Sequence, residues 1–214
     1  MTVFPSRLFR LTGSALCLAG VLVFLVNVLF TPKILAIENF AESAASTAWA
    51  WRLGLASLSG ILLIISSVGV FALFEHRKPG KIAGILILIL LLVGNALLLA
   101  HEWNQWLFVR DMAIHFPDTL NQLEDIDGFT LFDLSAVIGV SAFFLLWVIS
   151  AIILWAFKIV KWHIPVLIIV GLVSSPIFAI IATPALAAIL STAVVGLGWF
   201  LLGLEVIKIS NSSQ

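Results

Sequence analysis

The residues best suited to acid–base or metal chemistry lie in one polar stretch, residues 101–133, of an otherwise apolar chain. This stretch holds seven carboxylates against a single basic residue, Arg110. On a helix, Asp111 and His115 are four residues apart, so their side chains can pair. One carboxylate and one imidazole are too few ligands for a closed metal site, and the stretch lacks the HExxH pattern of zinc proteases. The sequence therefore indicates a surface pair and assigns no catalytic residue, metal or cofactor.

A second polar group is expected at the outer ends of two apolar segments. Glu102 follows Asn95 by seven residues, which places both on one helical face, and His101 adjoins them. Asn27 lies at a comparable depth in the first apolar segment. One interpretation is an outward-facing polar pocket formed by these four residues. The other is hydrogen bonding between helices, since an amide in hydrocarbon is costly without a partner.

Composition places the chain among integral membrane proteins. Of its 214 residues, 62% are hydrophobic and 10% are charged, and the mean hydropathy is +1.21. Soluble domains average about 45–50% apolar and about 25% charged residues. The single Cys17 excludes an internal disulfide. The lipid bilayer is the expected partner, and nucleic-acid binding is not expected because the few basic residues sit at membrane edges.

Six segments contain no Asp, Glu, Lys, Arg or His, and each is long enough to cross a bilayer as a helix. A hydrocarbon core about 30 Å thick requires about 20 apolar residues. The segments are 11–30, 53–74, 82–100, 134–157, 164–182 and 185–204. We therefore predict an all-α bundle of six transmembrane helices, forming a single domain over residues 1–214. Only Thr183 and Pro184 separate the last two segments, so a full hairpin and a re-entrant pair both remain open.

Basic residues predict the direction in which the chain is threaded. With six spans, eight Lys and Arg residues lie on the side of both termini, and three lie on the opposite side. By the positive-inside rule, both termini are expected in the cytoplasm, and the plasma (inner) membrane is the expected location. The acidic stretch then lies outside.

This outer stretch is expected to fold as a lid. Its many apolar side chains argue against a disordered acidic tail. The helix of the third span is expected to continue until Pro117, because the residue before a proline disfavours helical geometry. A second short helix is expected to begin near Thr119 and to end at Gly128. The predicted lid is therefore a pair of short helices with an acidic outer face.

Pro176 predicts a kink in the fifth span, because a proline cannot donate a backbone hydrogen bond to Leu172. The kink is either a static bend or a gating hinge. Small residues at helix-packing spacing predict close helix contacts, either inside this bundle or in a homo-oligomer or with a protein partner. They are Ala56 with Gly60, Ser135 with Gly139, and Ala188 with Thr192 and Gly196.

Three functional hypotheses follow. All six spans lack ionisable residues, which argues against a pump or a proton relay. The first hypothesis is a non-catalytic structural, assembly or docking component that binds a partner through the lid or a helix surface. The second is a carrier or binding protein for a small apolar or uncharged molecule or a lipid, which enters past the lid, with Pro176 as the moving part. The third is a membrane enzyme that uses His101, Glu102, Asp111 or His115; a protein without enzymatic activity is expected over this one.

Overall fold

The structure, a computed structural model, describes residues 5–77, 81–124 and 131–212. These ranges are helical and contain no strand. Within these described ranges, five helices are long and apolar enough to cross a membrane, which identifies an all-α membrane protein. They are Ser6–Leu35, Thr47–Arg77, Ile82–His115, Leu134–Ala156 and Pro184–Ile209.

The individual helices follow one another with short connections. Two segments with the wider π-helical turn, π1 and π2, interrupt the α-helical ladder. In chain order the elements are α1 (Ser6–Leu35), α2 (Phe40–Ala45), α3 (Thr47–Arg77), α4 (Lys81–Trp103), π1 (Asn104–Val109), α5 (Arg110–His115), α6 (Pro117–Glu124), α7 (Leu131–Ala136), π2 (Val137–Ser141), α8 (Ala142–Ala156), α9 (His163–Val173), α10 (Ser175–Ile181) and α11 (Pro184–Ser212).

The fifth predicted span, 164–182, is not one long helix. It consists of α9, with 11 residues, and α10, with 7 residues, and the helix is interrupted at Ser174. Pro176 lies in the first turn of α10, where a proline is tolerated because the N–H that it lacks would have no helical partner. A helix of 11 residues is only about 16 Å long, so neither piece alone can cross a bilayer. The helix break thus lies at Ser174, before Pro176, and the role of Pro176 as a static bend or a hinge stays a prediction.

Within the described ranges, six helices contact one another in a closed ring. Helix α1 packs against α3, α3 against α4, α4 against α8, α8 against α9, α9 against α11, and α11 returns to α1. Neighbours run antiparallel: Gly13 of α1 faces Gly203 of α11, whereas Gly20 faces Gly196. As a result, α1 begins and α11 ends at the same end of the ring, which we call the terminal end. We call the opposite end the cap end.

An apolar core fills the half of the ring toward the terminal end. Leu16, Leu73, Ile87, Leu154 and Leu202 are each completely buried there. Because every helix of the ring contributes to this core, burial of large aliphatic side chains fixes the positions of the helices relative to one another. The opposite half is packed less completely.

Three short helical pieces, α2, π1–α5 and α6, form a cap on the cap end. Ala41 and Ala44 of α2 pack against Val109, Ala113 and Leu120. The Ala41 N–H also donates a 2.9 Å hydrogen bond to Oδ1 of Asn121. Sequence patterns did not reveal α2, although its first turn is capped by Asn39, whose side chain accepts from the Glu42 N–H at 2.9 Å.

The course of the outer loop agrees with the proline signal. The helix that begins in the third span ends at His115, and α6 begins at Pro117. Asp111, Asp118 and Glu124 are exposed on this part of the cap. Gly128, the expected end of the second short helix, lies outside the described residues.

Candidate functional site

A cavity of about 470 Å³ lies inside the cap half of the ring. All six helices of the ring contribute residues to its wall, and Phe40 of α2 covers it. On the continuous helix α3, Arg52 and Leu63 both line the cavity and are eleven residues apart. At about 1.5 Å per residue, the cavity therefore extends about 16 Å along the ring. Its size and internal position are typical of a small-molecule site.

The upper part of the cavity, beside the cap, is polar. Arg52, His101 and Glu102 line it together, supplied by α3 and α4. Nδ1 of His101 and Oε2 of Glu102 are buried and have no hydrogen-bond partner among the described residues. The indole N–H of Trp49, in the same wall, is also buried without a partner in that part of the chain. Arg52 therefore lies in the same wall as the Glu102 carboxyl group, without a direct ion pair between the two side chains.

The lower part of the cavity, toward the centre of the ring, is apolar. Phe143, Leu172 and Val195 line it, together with Trp199 of α11. The Trp199 ring packs against Trp147 and Phe143, with ring centroids 5.2 and 6.0 Å away. Its Nε1 is the fourth buried polar atom of the wall that lacks a partner within the described ranges. The cavity thus has a polar upper part beside the cap and a mostly apolar lower wall.

Three of the four residues expected to form a polar pocket lie at this cavity. They are Asn27, His101 and Glu102. Asn27 is already satisfied within α1, since its Nδ2 donates to the Val23 carbonyl at 2.9 Å and its Oδ1 accepts from Thr31 at 2.8 Å. His101 and Glu102 therefore supply the open hydrogen-bonding capacity.

Asn95 lies outside the cavity and bridges three helices. Its side chain is completely buried; Nδ2 donates to Oγ of Ser67 at 3.2 Å, and Oδ1 accepts from Nε1 of Trp147 at 2.8 Å. For this residue the structure matches the second interpretation, hydrogen bonding between α3, α4 and α8, rather than a place in a pocket.

Sequence reasoning did not single out Arg52, Trp49 or Trp199 as site residues. Arg52 counted only as one of three basic residues expected on the outer side. Because that side has few basic residues, one that lies beside Trp49 and Trp51 was a usable signal. Trp199 offered no such signal, because an indole in an apolar span is ordinarily a packing residue. Only closure of the ring by α1 and α11 places it on the cavity floor.

The pair Asp111 and His115 lies on the outer surface of the cap. His115 Nδ1 is 3.3 Å from Oδ1 of Asp111, and the side chains are 60% and 69% exposed. No cluster of three potential metal ligands is found among the residues that the structure describes. The two residues do not line the cavity, so they cannot act in one site with His101 and Glu102.

A smaller recess of about 300 Å³ adjoins the cavity between α4 and the α7–π2 segment. Ile138 lines it and is 48% exposed, so the recess opens to the outer face of the ring. His101 lines both the recess and the central cavity. Gly139 lines the recess and allows this packing: a Cβ there would lie 2.6 Å from the His101 Cβ. The His101 side chain therefore lies between the central cavity and the recess on the outer face of the ring.

Both π-helical segments border the cavity. Gln105 of π1 and Val140 of π2 are in its wall. Such wide turns are rare and occur often at functional sites, because they rotate the next side chains relative to an α-helix.

Comparison of the chain with protein-family models, curated proteins and solved structures gives no match.

Proposed function

We propose that this protein is a membrane-embedded binding protein or carrier for a small uncharged molecule that occupies the central cavity. The observation that carries the proposal is the cavity of about 470 Å³ itself, whose mostly apolar wall also holds Arg52, His101 and Glu102 beside the cap. Small-molecule sites combine a mostly apolar lining with a few converging polar groups. The cavity has this composition.

The composition of the wall favours a ligand with an apolar part. Phe143, Leu172 and Val195 belong to the lower wall, whereas Arg52, His101 and Glu102 supply polar side chains beside the cap. A cavity with these two regions suits a molecule that buries an apolar part and places a polar group at the cap end.

The docking role stays a prediction with less support. Part of the apolar surface of the outer loop is used inside the cap, where Val109, Ala113 and Leu120 are buried. The exposed remainder, Leu107, Phe108 and Phe116, adjoins the end of a long apolar helix and suits contact with lipid as well as with a protein. An enzymatic role has less support still, because its four candidate residues lie in two separate places.

We further propose that the α9–α10 pair serves as the fifth of six crossings and that both termini are cytoplasmic. The ring arrangement supports the even number of passes, since α1 begins and α11 ends at the same end of the ring. The excess of basic residues on that side supports its cytoplasmic location in a plasma membrane.

Native mass spectrometry of the full chain in mild detergent tests the binding role. We expect a retained small molecule on the wild-type protein and its loss in Ala56→Phe, because Ala56 lines the cavity and the larger ring fills it. Ile65→Phe is the matched control, since Ile65 is on the same helix, is 38% exposed and does not line the cavity. A wild-type protein without any bound compound, or a compound retained equally by Ala56→Phe, contradicts the proposal.

A further inference from the structure

We propose that the recess between α4 and the α7–π2 segment binds one acyl chain of a phospholipid from the leaflet on the cap side, with the ester group of that chain at Asn104. The recess is a separate site from the central cavity, and the proposal is independent of the binding role above. It follows from the order of side chains along the recess and from their level in a bilayer.

The recess is polar at one end and apolar at the other. Its two walls run antiparallel, since Gly94 faces Leu146 whereas Gly139 faces His101. Asn104 and Ser135 therefore line the end nearer the cap, and Leu97 and Ile138 line the end nearer the middle of the ring. Leu97 precedes Asn104 by seven residues on one helix, a rise of about 10 Å. This order, a polar group followed by an apolar run, is that of a lipid ester and its chain.

Both walls place the polar end of the recess at the edge of the hydrocarbon core. Asn104 lies 22 residues after Ile82, where its apolar helix begins, which is a rise of about 33 Å. Ser135 lies 21 residues before Ala156, where the neighbouring helix ends, a rise of about 32 Å. A hydrocarbon core is about 30 Å thick, and the ester groups of phospholipids lie at its boundary. The two helices thus give the same level independently.

Exposed indole rings mark this level as well. Trp103 is 47% exposed and Trp106 is 36% exposed, and both lie within two residues of Asn104. Indole rings prefer the boundary between hydrocarbon and water. Leu97, about 10 Å deeper along the helix, then lies at the level of the acyl chains.

Asn104 has a donor for an ester carbonyl. Its Nδ2 is 3.5 Å from Oγ of Ser135, longer than an ordinary hydrogen bond, and its side chain makes no other hydrogen bond to the described residues. An amide nitrogen carries two hydrogens, so at least one is open to an acceptor in the recess. An ester carbonyl only accepts, and it is the acceptor that a phospholipid presents at this level.

Small residues create the space for the chain. Ala100 is exposed and lines the recess, and Gly139 has no side chain to fill it. The resulting volume of about 300 Å³ opens past Ile138, which is 48% exposed on an apolar helix. A void in that position would lose dispersion contacts along its whole lining, and the hydrocarbon of an adjacent lipid supplies them. The occupant is therefore a chain from the surrounding leaflet.

The test uses the full chain in vesicles of a neutral phosphatidylcholine with a trace of a photoreactive phosphatidylcholine. In one probe the diazirine-bearing chain is joined to glycerol by an ester, and in the other the same chain is joined by an ether, which lacks the carbonyl. Mass spectrometry measures labelling of residues 97–104 and 134–139 relative to the surface around Leu29, which is 50% exposed toward the cap end of α1. We expect a ratio about fivefold higher for the ester probe than for the ether probe.

Ala100→Phe tests occupation of the recess, because its ring fills the space that the chain would take. We expect the labelling ratio of the ester probe to fall by about threefold or more. Ala96→Phe is the matched control, since Ala96 is exposed one helical turn earlier on α4 and does not line the recess. A ratio that is unchanged by Ala100→Phe, or a wild type labelled no more in the recess than around Leu29, overturns the proposal.

Asn104→Leu tests the polar end, because leucine keeps the size of the side chain and removes its donor. We expect the ester and ether probes to label this variant equally, at the level of the ether probe on the wild type. Gln122→Leu is the control, since Gln122 is exposed on α6 and lies outside the recess. Equal labelling of the wild type by both probes, or a preference for the ester that survives Asn104→Leu, overturns the ester contact and with it the proposed site.

Discussion

At the scale of single residues, two asparagines in hydrocarbon have different partners. Asn27 satisfies its amide within its own helix, at the Val23 carbonyl and the Thr31 hydroxyl. Asn95 instead joins α3, α4 and α8 through Ser67 and Trp147. A bond within one helix adds little to tertiary structure, whereas a bridge between helices resists their separation. Asn95 is therefore a structural residue beside the cavity.

We expect Asn95→Leu to lower the free energy of unfolding by about 1–2 kcal/mol, because it leaves the buried Trp147 N–H without its acceptor and removes the bond from α4 to Ser67 of α3. Thermal unfolding of the purified protein in detergent measures this change. Adding Trp147→Phe to Asn95→Leu should cost less than the sum of the single changes. Strict additivity of the two changes would contradict the proposed bridge.

Parts of the site could be read from the sequence because polar residues are rare in these spans. Asn27, His101 and Glu102 stood out as polar groups near the outer ends of apolar segments, and the structure places them at one cavity. Asn95 looked equivalent, yet one helical face can contact either a neighbouring helix or a cavity, and spacing does not decide between them. Trp199 could not be found, because its position depends on which helices close the ring.

At the scale of elements, pairs of glycines hold α1 against α11. Gly13 faces Gly203, and Gly20 faces Gly196, with the pairs seven residues apart on each helix. A Cβ at Gly203 would lie 2.6 Å from the Gly13 carbonyl oxygen, and one at Gly196 would collide with the carbonyl oxygen of Gly20. Such close backbone contact increases dispersion and permits weak Cα–H hydrogen bonds. Gly196, expected from the sequence to mark a packing face, packs within the chain.

We expect Gly20→Ala to destabilise the fold by about 1–3 kcal/mol, because a methyl group collides with a backbone oxygen that cannot move independently of α11. Gly54→Ala is the matched control, since its Cβ would meet only the Trp106 ring, at 3.4 Å. Midpoints of thermal unfolding compare the two variants with the wild type. Equal stability of Gly20→Ala and Gly54→Ala would contradict the close backbone contact between α1 and α11.

We expect Asn121→Ala to loosen the cap without loosening the ring, because it removes the acceptor for the Ala41 N–H. Hydrogen exchange measured by mass spectrometry should show roughly tenfold faster exchange in Phe40–Ala45, with no change in α1 or α11. Gln122→Ala, at the adjacent exposed position, is the control and should leave α2 protected. Protection of α2 in both variants would mean that apolar packing alone holds the cap.

At the scale of the whole molecule, ring closure explains why α1 and α11 meet although they are the first and last helices of the ring. Antiparallel packing of these two helices places the start of α1 and the end of α11 at one end of the ring. Hydropathy alone predicted six apolar segments, whereas five long apolar helices are found among the described residues. The fifth segment has sufficient apolar length, and local geometry near Ser174 divides it, which a hydropathy average cannot register.

We expect reporters placed before Met1 and after Gln214 to be cytoplasmic in the same cell. The basic residues on the terminal side favour that compartment, and an even number of crossings keeps the termini together. Paired alkaline phosphatase and fluorescent protein fusions measure the location of each end. Termini on opposite sides would mean that the α9–α10 pair is re-entrant, and two external termini would reverse the orientation.

The π1 turn joins the cap to the ring, and its wide geometry has a mutational consequence. The Arg110 N–H bonds to the Gln105 carbonyl, five residues earlier, so this turn holds one residue more than an α-helical turn would. If the same residues formed an α-helical turn instead, every later cap residue would rotate by about 100°. Val109 and Ala113 would then lose their places against α2. The extra residue of π1 thus sets the register of the cap, and a chain that is one residue shorter at this turn would form an α-helix there and keep the same cap over the same ring.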